Sequence, residues 1–216
     1  MLSTAVPITT NASTTIIQQE EGDLTHRDDD NRFKTYENPT YGINIQYTSN
    51  WRVDEGDVYS DDYIIDIVSF IAPVTSDSEA YSPSLSLSID TQPPNLNENL
   101  NEYLTRITND YGDTLEDFEV IESDTNSILA GKPAYKLVSI DVEDDIDYKS
   151  LEIGTIIGDE VYYITYDAEE EQYSNYLPTV QKMINSLEIN PSSNRLDTDT
   201  STTTQDLDEI NPYAGR

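Results

Sequence analysis

The stretch LEIGTIIGDEVYYITY, residues 151–166, decides the fold. Two apolar runs of strand length flank the pair Gly158-Asp159. A two-residue loop led by glycine is the mark of a type II′ hairpin, because its first position needs positive φ and glycine adopts that at little cost. The turn sets the register: Ile157 faces Glu160, Thr155 faces Tyr162, Ile153 faces Ile164 and Leu151 faces Tyr166. Cross-strand partners share a face, so Leu151, Ile153, Tyr162, Ile164 and Tyr166 line one side. Ile156, Val161 and Tyr163 make the other side apolar as well. A hairpin apolar on both faces belongs in the middle of a sheet that is covered on both sides.

The neighbouring segments supply the rest of that sheet. Residues 118–123 and 132–141 read as two strands joined across Ala130-Gly131, and the second enters the central hairpin through the acidic loop 142–147. Residues 84–90, SLSLSID, alternate strictly, with Leu85, Leu87 and Ile89 on one face. The serines Ser82, Ser84, Ser86 and Ser88 are then the polar face of a strand, with no base nearby and no GxSxG elbow. Residues 63–71, YIIDIVSFI, read as a buried strand closed by Pro73. Residues 42–47, GINIQY, alternate as a half-buried strand does, and Trp51 and Val53 follow a short turn.

Two helices complete the pattern. Pro93-Pro94 break the chain, and Asn97 is placed to cap a helix with Leu100, Tyr103, Leu104, Ile107 and Tyr111 on one face and Gly112 at its C′ position. The last helix shows a stripe of Tyr176, Leu177, Val180, Met183, Ile184 and Leu187. With Asn175 as N-cap, Pro178 falls in the first turn, where its missing N–H costs nothing, and residues 167–171 form a separate turn. The fold class is therefore α+β: a single antiparallel β-sheet with helices packed on its faces. Residues 1–32 read as a disordered leader, 33–189 as the domain, and 190–216 as a disordered Ser/Thr/Asp-rich tail.

Composition limits the chemistry. The chain holds 43 Asp and Glu against 11 Lys and Arg, a net charge of -32. Residues 33–189 alone hold 32 acidic and 7 basic residues, so the acidity belongs to the domain surface and not to the tails. Nucleic acid is excluded as a partner, because phosphate binding draws on cationic side chains; a basic protein or a cation fits better. There is no Cys, and the single His, His26, lies in the leader, so thiol chemistry, imidazole triads and His-rich zinc sites are excluded from the domain. No apolar run has the length of a membrane span, and residues 1–15 show neither a basic n-region nor a continuous h-region. No P-loop or GxGxxG occurs.

Several motifs together resemble the PsbP-like domain family. Tyr36-Glu37-Asn38, then Tyr41 through Tyr47, then Trp51 is similar to that domain's opening: an aromatic, a spacer, a Gly-led strand and a Trp after a small turn. Val68 through Pro73 resembles its next strand with the closing Pro, and Leu129 through Tyr135 its AGKPAY turn into a strand. Val161 through Tyr166, followed by Tyr176, Met183 and Ser186-Leu187, resembles its last hairpin and helix; Thr48 departs from the family's usual Pro. The resemblance spans residues 33–189 and implies an α-β-α domain without catalytic activity. Photosynthetic members bind photosystem II at the lumen side and help retain calcium and chloride. The basic residues that a docking member would use are scarce here.

The expected function is a non-enzymatic binding module, exported or at the cell surface, monomeric, with a basic protein partner. Calcium is the one ion expected. Its candidate ligands are Asp141, Glu143, Asp144, Asp145 and Asp147, since hard cations take several oxygens converging at one point. The spacing is not an EF-hand and the turn glycine is missing, so a solvated acidic loop is the competing reading. Asp54, Glu55, Asp57, Asp61 and Asp62 form a second patch of the same kind. Among 16 tyrosines, Tyr59, Tyr63, Tyr81 and Tyr163 are the candidates for an exposed binding platform. The alternative function is a hydrolase that uses two of the many carboxylates.

Overall fold

The reversal at Gly158 organises the domain. Gly158 takes φ +65° and Asp159 stays at negative φ, as a II′ turn needs. It joins two long strands, Ile146–Ile157 (β8) and Glu160–Glu169 (β9), in the register read from the sequence: Ile157 opposite Glu160, Thr155 opposite Tyr162, Ile153 opposite Ile164, Leu151 opposite Tyr166. The structure, a computed structural model, describes residues 32–56, 63–73, 81–91 and 98–191.

Before the hairpin come strands Phe33–Asn38 (β1), Ile43–Thr48 (β2), Arg52–Glu55 (β3), Ile64–Ile71 (β4) and Ser84–Asp90 (β5). Helix Leu100–Thr114 (α1) follows, then Glu119–Leu129 (β6) and Lys132–Glu143 (β7). After β9 come helix Glu170–Asn185 (α2) and a two-residue strand, Glu188–Ile189 (β10). The expectation of one sheet is corrected, because there are two. A seven-stranded antiparallel sheet runs β3-β4-β5-β9-β8-β7-β6, and a three-stranded one runs β1-β2-β10. The small sheet exists because the chain, on leaving α2, returns to pair Ile189 with Ile43 and to donate Asn190 N–H to Gly42 O at 2.8 Å.

Strand β9 is the middle strand of the large sheet, and both its faces are covered. One face carries Tyr162, Ile164, Tyr166 and Ala168, packed with Leu85, Leu87, Ile89 and Phe70 against α2 residues Tyr173, Val180, Met183 and Ile184. The small sheet packs on this side too: Tyr36 meets Phe70 edge-on at 5.9 Å, and Tyr47 stacks on it at 5.0 Å. The opposite face carries Val161, Tyr135 and Leu137 under α1 residues Tyr103, Leu104 and Ile107. Toward the Ser84 end of β5 this second face turns polar. Its rows across the strands are Ser84, Asp167, Ser150 and Ser139, then Ser86, Thr165 and Glu152.

Element limits differ from the sequence reading in three places. Helix α1 is capped by Asn99, whose side chain accepts from Asn101 N and Glu102 N while Glu102 reaches back to Asn99 N, a complete capping box; Asn97 lies outside the described residues. The helix runs on through Gly112 to Thr114, so Gly112 is not its terminator. Helix α2 begins at Glu170, directly after β9, with Pro178 in its interior. Proline there is tolerated because both Pro178 and Ser174, whose carbonyl loses its partner, are exposed to water. Strands β6 and β7 are longer than read, joined through Ala130 (φ 48°) and Gly131 (φ 74°), two positive angles in a row, as a type I′ turn requires. Edge strand β6 carries two bulges, one past Val120 and one past Asp124. The expected disordered tails, 1–32 and 190–216, fall almost wholly outside the described residues. Among those described, no helix is long and apolar enough to cross a membrane.

Two predictions follow from the sheet. Replacing Gly158 with Val forces a β-branched residue to positive φ and should cost about 1–3 kcal/mol in urea unfolding. Asp167 is half-buried in the polar row, accepts a hydrogen bond from Ser150 Oγ, and is pushed by the desolvation of its carboxyl from 3.8 to about 6. A raised carboxyl pKa means that the native state binds the proton more tightly, so this stabilisation is complete below pH 4 and is lost as pH rises through 6. Asp167→Asn should flatten that fall, which for this group is about 3 kcal/mol, in melts recorded between pH 4 and pH 7.

Candidate functional site

Three acids lie on inner strands of the large sheet, and the register brings them to the α1 side of the sheet. Asp66 of β4, Ser88 of β5, Tyr163 of β9, Gly154 of β8 and Tyr135 of β7 form one row. Glu152 lies in the next row toward the Ser86 side, and Asp90 in the row on the other side. A bulge at Ile67 lies beside Asp66. Above these rows, α1 leaves a cavity of about 510 Å³. The helix contributes Tyr103, Arg106, Ile107, Asp110 and Tyr111; the strands contribute Asp66, Asp90, Glu152 and Tyr163; Tyr63 and Ile64 stand at the rim.

Glu152 is the most constrained of these groups. It is buried inside the large sheet, where an unpaired carboxylate would be costly. Tyr135 Oη donates to its Oε1 at 2.6 Å and Tyr111 Oη to its Oε2 at 2.8 Å. Gly154 makes room for this: a Cβ there would lie 2.4 Å from the Tyr135 ring, so only glycine lets that ring lie across the strand. Burial raises the Glu152 pKa, while the two tyrosine donors pull it back. Burial first, and the nearby Glu152 charge second, push the hydroxyls of Tyr111, Tyr135 and Tyr163 above their ordinary value, so they remain protonated donors.

At the other end, Tyr103 Oη donates to Asp90 Oδ2 at 3.1 Å. The Arg106 guanidinium lies over the Tyr103 ring, 4.7 Å from its centroid. Its Nε donates to Glu98 Oε1 at 3.3 Å, and its Nη atoms stand 3.6 Å from Asp90 and 3.7 Å from Asp110. At the mouth, Ser88 Oγ donates to Asp66 Oδ1 at 2.8 Å. The lining therefore holds four carboxylates and a single cation. A second hollow of about 490 Å³, between Ile128 and the end of α2, has one carboxylate, Glu188, and no tyrosine.

The residues expected to bind calcium lie elsewhere and do not converge. Asp144 (φ 53°) and Asp145 (φ 63°) form a tight two-residue turn, with Glu143 opposite Ile146, so the expected acidic loop is a β7–β8 hairpin. Asp141 and Glu143 share one face of β7, whereas Asp147, opposite Val142, points to the other. Among the described residues, no group of three or more His, Cys, Asp or Glu could hold a metal ion, and these five do not fit one. In the second acidic patch, Asp54 pairs with Arg52 at 2.8 Å, while Asp57, Asp61 and Asp62 lie outside the described residues. Of the tyrosines singled out, Tyr63 and Tyr163 meet at the cavity. Tyr81 packs edge-on against Tyr148 at 5.5 Å, and Tyr59 is outside the described residues.

Asp66, Asp90, Glu152 and Arg106 were not singled out from the sequence. A signal existed for two of them: Asp90 follows the alternating run of β5 and Glu152 stands between Leu151 and Ile153, places where a buried charge needs a partner. Which strands lie side by side is what brings them together, and that order is not local.

The residue 5–189 segment matches the family model described as PsbP-like protein. The chain belongs to the PsbP-like family. The match begins earlier than the residue 33 expected from the motifs. No curated protein matches. Among solved structures of similar fold, cyanobacterial PsbP (CyanoP) of Synechocystis sp. PCC 6803 is 14% identical, with a TM-score of 0.54 over 73% of this chain and 92% of its own. PA94 of Pseudomonas aeruginosa, a protein of unknown function, gives 0.53 at 14% identity over 74% and 99%. LpqN of Mycobacterium tuberculosis gives 0.51 at 13% identity over 74% and 91%. At these identities the likeness is one of fold, and this PsbP-like chain's own residues must carry the rest of the argument.

The network around Glu152 is testable through its coupling. Tyr135→Phe removes one donor from a buried carboxylate and should cost about 1–3 kcal/mol in urea unfolding. Combined with Glu152→Gln, the loss should be clearly smaller than the sum of the two single changes.

Proposed function

We propose that this chain is a non-catalytic binding module, working outside the cytoplasm, that engages a basic protein partner and receives a cationic side chain of that partner in the α1 cavity. The observation behind it is the charge balance of the lining, four carboxylates to one guanidinium among tyrosine rings. Carboxylates without enough cations attract one, and an aromatic face adds cation–π attraction. The net charge of -25 over residues 33–189 steers a basic partner toward the surface before contact. A binding role accords with the PsbP-like fold, and export with LpqN, whose description places it in cell envelope biogenesis.

The hydrolase alternative has less support. Glycoside hydrolysis pairs a protonated carboxyl with an ionised one about 5–10 Å away. Glu152 is the acid whose burial favours the proton. Asp90 lies two strands and four residues from it, and Asp66 three strands and two residues. Ordinary strand spacings put both at roughly 16 Å between Cα atoms.

The experiment is an NMR titration with hexalysine at low salt, repeated at higher salt. The Tyr63, Tyr163 and Arg106 signals should shift, and salt should weaken binding. Asp66→Asn and Asp110→Asn, at the mouth and rim, should each weaken it about two- to fivefold. Shifts confined to other surfaces, or indifference to both substitutions, would refute the reading.

A further inference from the structure

We infer that Arg106 determines which cation the cavity accepts: with its guanidinium seated, the site takes a lysine ammonium in preference to an arginine guanidinium. This deepens the reading of the cavity as a receiver of cationic side chains, and rests on it.

The argument turns on which carboxylate oxygens are still available. A guanidinium binds best as a planar fork, two parallel N–H groups on the two oxygens of one carboxylate. No acid that the strands contribute to the cavity offers such a pair, and Asp110 of α1 already faces the Arg106 guanidinium at 3.7 Å. Both oxygens of Glu152 accept tyrosine hydroxyls, Oε1 from Tyr135 and Oε2 from Tyr111. Asp66 has Oδ1 engaged by Ser88. Asp90 Oδ2 accepts from Tyr103 and faces the Arg106 guanidinium at 3.6 Å.

The place built for a planar cation is already filled. Arg106 lies over the Tyr103 ring with Glu98, Asp90 and Asp110 around it. The Glu98 side chain is 7% exposed, and its Oε2 is buried with no hydrogen-bond partner among the described residues, so this place keeps an acceptor that the chain's own arginine does not use. An ammonium has other needs. It is a compact charge with three donors that rotate to single lone pairs. Tyr163 lies in the row of Asp66, beside the row that holds Glu152, and supplies a ring face and a hydroxyl for such a group.

The test compares two pentapeptides that each carry one cation, acetyl-Gly-Gly-Lys-Gly-Gly-amide and its arginine counterpart, by NMR titration. The native protein should bind the lysine peptide at least about threefold more tightly, with shifts at Tyr163. In Arg106→Ala the preference should vanish or reverse. Methylguanidinium should then raise the melting temperature of that variant more than methylammonium does, by refilling the vacated place, and should leave the native protein unchanged. If Arg106→Ala does not fold, Arg106→Lys removes the planar fork while keeping the charge, and should shift the preference the same way. Equal binding of both peptides at the cavity, or a lysine preference untouched by either substitution, overturns the role of Arg106 and leaves the cavity reading standing. Failure of both peptides to move any cavity signal overturns the cavity reading, and this inference with it.

Discussion

Burying Glu152 is the constraint on which the α1 side of this domain depends. A carboxyl buried inside the sheet is tolerated only if both its oxygens are engaged. That requirement fixes Tyr135 from the neighbouring strand and Tyr111 from α1. Tyr135 reaches Glu152 only across a residue without a side chain, which is Gly154. Tyr111 reaches it only if α1 lies over the β7–β9 part of the sheet, and that leaves the β4–β5 part open. The cavity is the space left over. Its position follows from where the helix must sit to satisfy one acid.

The two faces of the large sheet divide the work. The α2 face is apolar at its centre, with Lys136, Lys149 and Thr155 among its polar positions, and carries the main core, on which the small sheet packs Tyr36 and Tyr47 against Phe70. The α1 face is apolar under the helix and polar elsewhere, with hydroxyls and carboxyls in rows. Stability can therefore rest mostly on one side, while the other side is free to carry groups suited to recognition.

Much of the fold was legible because short-range rules fixed it. A glycine at the first position of a two-residue loop set the register of β8 and β9, and period-two alternation placed Leu85, Leu87 and Ile89 on one face. What was not legible depended on distant pairing. Strand β10 is two residues long and has no pattern to detect; it exists because β2 offers an edge beside the end of α2. Pro178 looked like a barrier to α2, but its exposure lets water compensate the lost hydrogen bond. The site was less legible than the fold. Dense acid runs drew the eye to residues 141–147, where a tight turn spreads the carboxylates over two faces. The acids that do gather, Asp66, Asp90 and Glu152, are single residues on three strands, united only by sheet order.

The way β2 is gripped has a mechanical consequence. Strands β1 and β10 both run antiparallel to β2, on its two sides. The chain enters beside Ser49, where Arg32 O accepts the Ser49 N–H, and departs beside Gly42, at the far end of the same strand. Tension between whatever precedes residue 32 and whatever follows residue 191 would thus act along the strand axis. The hydrogen bonds holding β1 and β10 to β2 would be loaded together, in shear, instead of being peeled apart one at a time. A domain tethered at one end and pulled at the other would resist in its strongest direction.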